Sequence, residues 1–77
     1  MTFKSIGDEI IKECIQASGH YPPFNSAHEG YAIILEELEE LKTEVFKKQS
    51  NRDIKRMRKE AIQVGAMALR FVNDIAP

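Results

Sequence analysis

The sequence predicts an all-α fold: one domain over residues 1–77, three helices per chain, assembling into a helical-bundle dimer. Three observations predict it. Apolar residues recur every three or four positions along three segments, two short stretches of turn chemistry separate those segments, and no β-branched run alternates as a strand would. The proportions agree, since 43% hydrophobic and 30% charged residues suit a folded helical chain rather than a disordered one. At 77 residues a single core gives only marginal stability, so a partner is expected.

The first helix is expected from about Ser5 to Ser18, with Ser5 and Asp8 at capping-box spacing and Phe3, Ile6, Ile10, Cys14 and Ala17 as its apolar row. Gly19 is expected to stop it. The following His20-Tyr21-Pro22-Pro23-Phe24-Asn25 cannot continue a helix, because two prolines lack amide donors and push their predecessors toward extended conformations. Tyr21 and Phe24 in this loop are candidate substrate-stacking residues; the competing role for both is to pin the loop onto the helices.

Ser26 and Glu29 form a second S-x-x-E pattern, and Ala27, Tyr31, Ile34, Leu38, Leu41 and Val45 follow a four-three spacing, which predicts a long amphipathic helix to about Lys48. Gln49-Ser50-Asn51 break it. A third helix is expected from Asp53 to about Asp74, with Ile54, Met57, Ala61, Val64, Ala68, Phe71 and Ile75 in one row and Ile62, Ala66, Met67, Leu69 and Val72 on other sides. A helix apolar all round is normally buried, and three helices cannot surround one of their own number. A second copy is therefore expected to cover it, with Gly65, Ala66 and Ala68 allowing close approach.

The formal net charge of −1 supplies no field for nucleic acid or a membrane surface, so neither is an expected partner. The lone Cys14 falls in an apolar row and cannot form an internal disulfide, which favours a buried thiol. Met1 to Lys12 lack the apolar stretch of a signal peptide, and no segment approaches the roughly 20 apolar residues of a membrane span, so a cytoplasmic location is expected.

The chemistry-bearing residues are acidic. Glu37, Glu40 and Glu44 lie at i, i+3 and i+7 beside the apolar row of the second helix, while Arg56, Glu60, Gln63, Met67, Arg70 and Asp74 flank that of the third. Two antiparallel helices packed by those rows bring Glu37 and Glu40 opposite Glu60 and Gln63. Converging carboxylates repel unless a cation compensates, and magnesium prefers a few carboxylates with positions left for water and phosphates. The alternative is a solvated face whose glutamates pair with Lys42, Lys47 and Lys48. Arg52, Lys55, Arg56, Arg58 and Lys59 crowd the start of the third helix, where Arg56 and Lys59 are candidates to meet a substrate's phosphates, or form a solvated basic turn. No Ser-His-Asp or Cys-His arrangement and no glycine-rich phosphate loop is present, and neither His20 nor His28 has metal-ligand spacing.

Leu35-Glu36-Glu37-Leu38-Glu39-Glu40-Leu41 followed by Glu60-Ala61-Ile62-Gln63 resembles the MazG-like all-α nucleoside triphosphate pyrophosphohydrolases, whose pattern is E-E-x-x-E and then E-x-x-D. The resemblance covers roughly Ser26 to Asp74. It implies a homodimer or dimer of dimers, a nucleoside triphosphate substrate and Mg2+ as cofactor. Carried onto this chain, it implies Glu37, Glu40 and Glu60 as metal ligands and Glu36 as the residue that holds a second ion or orients water. Gln63 stands where the pattern has aspartate; an amide oxygen can still ligate magnesium, but one negative charge is lost. The alternative implied is a catalytically weak or inactive relative that dimerises or binds nucleotide.

Overall fold

The computed structural model describes residues 2–77, which form three α-helices: α1 (Phe3–His20), α2 (Ala27–Val45) and α3 (Ile54–Ile75), with a short 3-10 turn over Gln49–Asn51. Among the described residues there is no strand, and no helix is long and apolar enough to cross a membrane.

Local chemistry sets each boundary. The capping box of α1 is Thr2 with Ser5 rather than Ser5 with Asp8: the Thr2 hydroxyl accepts the Ser5 amide at 3.1 Å, and the Ser5 hydroxyl accepts the Thr2 amide at 3.0 Å. Asp8 instead pairs with Lys4 at 3.2 Å. Gly19 does not end the helix. The stop is Tyr21, held extended at φ −129°, ψ 141° by the proline that follows it. Ser26 caps α2 by accepting the Glu29 amide at 3.1 Å, while the Glu29 carboxylate reaches one residue further back, to the amide of Asn25 at 3.3 Å. At the other end α2 stops three residues short of Lys48, where the Arg52 Nε–H donates to the carbonyl of Val45 at 2.9 Å. Asp53 caps α3, accepting the amides of Lys55 and Arg56.

α3 is the central element. α1 packs on one side of it and α2 on another, and α1 and α2 do not pack on each other. The polar contacts from α1 and the loop to α3 join residues 49, 50, 48 and 50 apart: Glu9 to Arg58, Glu13 to Gln63, Pro22 to Arg70 and Phe24 to Asp74. That near-constant offset means α1 runs parallel to α3. The 21–26 loop must then cross the C-terminal end of α3, and it is tied there. The Asp74 carboxylate accepts the Phe24 amide at 3.0 Å, and the Arg70 guanidinium donates to the Pro22 carbonyl at 2.7 Å while lying 4.6 Å from the Phe24 ring centroid. Phe24 is buried with Ala66 and Met67 at the centre of the core, so its pinning role holds.

Two sequence expectations about faces are corrected. Ala27, Tyr31 and Leu38 of the α2 row are exposed, and the face turned to α3 is Gly30, Ile33, Ile34, Glu37, Leu41, Glu44 and Val45. Gly30 explains the rotation: a Cβ there would lie 2.6 Å from Phe71 and 3.0 Å from Phe24, so only a glycine lets both rings reach the helix. On α3, Ile54, Ala61 and Ala68 are exposed, whereas Gly65 and Ala66 serve the chain's own packing. Ala66 is fully buried, and a Cβ on Gly65 would meet Ile10 of α1 at 3.1 Å. Of the three small residues expected to admit a second copy, only Ala68 faces outward. Cys14 is half-buried against the core.

The three helices thus form one layer with two unlike faces. One face is a cleft of ≈ 910 Å³ between α1 and α2, floored by α3 and lined in part by Glu13, Ala17, Ile33, Glu36, Glu37, Gln63, Met67 and Arg70. The other is apolar. Ile11, Ile15, Tyr31, Leu35, Leu38, Ala61, Ala68, Leu69 and Val72 are all exposed, and none of them lines the cleft.

Candidate functional site

The rotation of α2 that seats Phe24 and Phe71 at Gly30 also turns Glu37 toward α3 two turns later. Since α2 and α3 are antiparallel, the Gly30–Phe71 contact sets a register in which residues 37–40 stand opposite residue 60. One carboxylate oxygen from each of Glu37, Glu40 and Glu60 lies within 4.8 Å of the other two. Glu37 and Glu60 are half-buried and Glu40 is open to solvent.

The electrostatics follow from that convergence. Burial and then the neighbouring Glu40, Glu60 and Glu36 carboxylates push the Glu37 carboxyl up from 4.5 to about 6. Glu60 is raised as well, by burial first and then by a hydrogen bond and charge repulsion from Glu40. Lys59 opposes that rise and Glu44 adds to it. Glu40 therefore bridges the other two, and the cluster carries more negative charge than its partly dry setting favours.

A divalent cation fits this donor set. Oxygens around magnesium sit at about 2.1 Å, so three carboxylate oxygens that already lie within 4.8 Å of one another need only draw together to share one ion. Hard oxygen donors of this kind suit magnesium, calcium or manganese rather than zinc.

The other sequence candidates fall at graded distances from this centre. Glu36 lines the cleft beside the cluster and is exposed. Gln63 lines the cleft too, but its amide Nε2 donates to the Glu13 carboxylate of α1, so the residue is turned toward α1. Glu44 forms an ion pair with Lys47 at 2.9 Å. Lys59 stands next to Glu60, whereas Arg56 is largely exposed, 3.9 Å from the Asp53 carboxylate, and lines no part of the cleft. Tyr21 is exposed at the cleft's edge, and Phe24 forms part of its wall.

Sequence reasoning named no residue of α1 for the site, although the first helix is expected to help shape the pocket, and α1 supplies Glu13, Gln16, Ala17 and His20 to the cleft. Sequence reasoning also missed Arg70 as a wall residue. The Arg70 side chain is only 5% exposed, its Nε has no hydrogen-bond partner among the described residues, and Asp74 lies 3.8 Å away. Hydrogen bonds from the Asn73 amide and the Phe24 backbone hold the Asp74 carboxyl below its ordinary range. The signals available were the place of Arg70 on the stripe of Glu60, Gln63 and Met67 and its i, i+4 spacing to Asp74, and neither reveals that the loop lies over them.

Comparisons with models of protein families, with curated proteins and with solved structures found no match to this chain.

Proposed function

We propose that this chain is a magnesium-dependent nucleoside triphosphate pyrophosphohydrolase of the MazG-like kind, converting a nucleoside triphosphate to the monophosphate and pyrophosphate. The observation that carries the reading is the convergence of Glu37, Glu40 and Glu60 from two helices at the side of a cleft large enough for a nucleotide. Magnesium on these carboxylates would supply charge neutralisation and alignment for water attack at the α-phosphorus.

The chain's own residues divide the remaining work. Glu36 on the cleft rim orients the attacking water and accepts its proton as the bond from the α-phosphorus to the bridging oxygen breaks. Lys59, one residue from Glu60, meets the phosphates, whereas Arg56 stands 3.9 Å from the Asp53 carboxylate. The apolar walls at Ala17, Ile33 and Met67, with Tyr21 at the edge, enclose the nucleoside. A second copy of the chain covers the exposed apolar face opposite the cleft, giving the helical-bundle homodimer that the sequence leads one to expect.

One observation favours a second reading. Gln63 occupies the position of the missing aspartate and gives its amide to Glu13, which suits a relative that binds nucleotide but turns it over weakly. Pyrophosphate release from a panel of normal and modified ribo- and deoxyribonucleoside triphosphates separates the two. Metal-dependent release with equal monophosphate supports the hydrolase, tight binding without release supports the second reading, and neither binding nor release removes both.

A further inference from the structure

A second groove, of ≈ 480 Å³, runs between α1 and the N-terminal half of α3 and shares Glu13, Gln16 and Gln63 with the main cleft. The two are therefore parts of one trough. Along α3 its floor is Lys55, Lys59, Gln63, Met67 and Arg70, spaced by four, four, four and three residues, which keeps them on one face. The character changes along that face from apolar at Met67 to basic at Lys59 and Lys55, with Lys12 of α1 on the opposite wall.

These three lysines differ from Arg58, the fourth cation of the groove. Arg58 is engaged by Glu9, whose carboxyl its hydrogen bond holds below the ordinary range, and Lys4, Lys47, Arg56 and Arg70 each have a carboxylate within 4.0 Å. Among the described residues no carboxylate comes that close to Lys12, Lys55 or Lys59. The groove lining sets four cations, Lys12, Lys55, Arg58 and Lys59, against two carboxylates, of which Glu9 is engaged by Arg58 and also attracts Lys12 and Glu13 accepts from Gln63, so a net positive charge is left on a concave surface for a ligand of several negative oxygens to meet with charge-assisted hydrogen bonds. From Gln63, Lys59 and Lys55 lie about 6 and 12 Å along the helix axis, so a short phosphate chain laid along this face is within reach of both flexible ammonium groups.

We propose that the groove of Lys12, Lys55 and Lys59 is a polyphosphate subsite, which receives the β- and γ-phosphates of the substrate beyond the Glu37–Glu40–Glu60 centre and releases them as pyrophosphate. The orientation of the substrate rests on the hydrolase reading; the affinity for a phosphate chain does not. Lys12 makes α1 part of the binding machinery.

The test is calorimetric titration of the whole protein with inorganic tripolyphosphate in the presence of a chelator. Wild type binds, Lys12→Ala and Lys55→Ala each weaken binding about tenfold, Glu60→Gln does not weaken it, and a nucleoside monophosphate binds equally well to wild type and both lysine variants. All three lysines are exposed, so these substitutions leave the fold intact. Absence of tripolyphosphate binding, or binding indifferent to both lysines, overturns the proposal. So does lysine-dependent binding of a single-stranded oligonucleotide without binding of tripolyphosphate. If pyrophosphate is released yet the KM for triphosphate is unchanged in both lysine variants, the subsite falls and the hydrolase stands. If nothing is hydrolysed but tripolyphosphate still binds through the lysines, the hydrolase falls and the subsite stands.

Discussion

Replacing Glu37 with glutamine should stabilise the metal-free protein at neutral pH, although it removes a residue from the functional centre. The sign follows from the raised carboxyl. A group at 4.5 in the unfolded chain and about 6 in the folded one binds more protons when folded, so its contribution is most favourable below pH 4.5 and is lost as the pH rises through 6. The difference of about 1.5 pK units corresponds to at most about 2 kcal/mol, and partial solvent access reduces it toward 1. Glutamine keeps the shape and a donor toward Glu40 without the charge. In chelator at pH 7.5 the variant should melt at least about 4 °C above wild type, and the advantage should shrink to nothing near pH 4.5. Adding magnesium should reverse the order, because only the wild type gains from binding. Thermal melts of both proteins across pH 4.5–7.5, with and without metal, check this. A variant that melts below wild type in chelator at pH 7.5 would refute the reasoning, since it would mean the carboxylate is not strained by its neighbours.

Gly30→Ala places a methyl 2.6 Å from Phe71 and 3.0 Å from Phe24, so either the rings or α2 must move; a loss of about 1–3 kcal/mol in a denaturant titration is expected. Because the same contact sets the α2–α3 register, that variant should also bind magnesium more weakly. Arg70→Ala removes the bond to the Pro22 carbonyl and the cation over Phe24, which should cost about 2 kcal/mol and open the 21–26 loop to limited proteolysis. Gln63→Asp exchanges an amide donor facing Glu13 for a second carboxylate, so it should lower the melting temperature in chelator and enlarge the increase produced by magnesium. If hydrolysis also rises, Gln63 is what limits the wild-type rate.

The three helices were legible because their periodicity, prolines and cap residues act within a few residues of one another. The existence of the acidic centre was legible too, since Glu37, Glu40 and Glu60 flank apolar rows whose antiparallel packing leaves few alternatives. What the sequence hid depends on contacts between distant segments. The α2 row was read as a heptad facing one way, but Gly30 admits two rings and turns that row by about one residue, leaving Tyr31 and Leu38 outside. Likewise Gly65 and Ala66 signal close helix approach without saying which helix approaches, and the answer is α1. α1 carries no pattern that marks Lys12 or Glu13 as site residues. Their position follows only from the parallel register with α3, which depends on where the loop is tied.

The central claim is that Glu37, Glu40 and Glu60 together hold a divalent cation, and the most direct test is manganese binding followed by electron paramagnetic resonance at pH 7.5. Wild type should bind one class of ion that magnesium displaces, with affinity falling as the pH drops through about 6, and Glu60→Gln should lose it. Equal binding by wild type and Glu60→Gln, or no binding by either, would contradict the account.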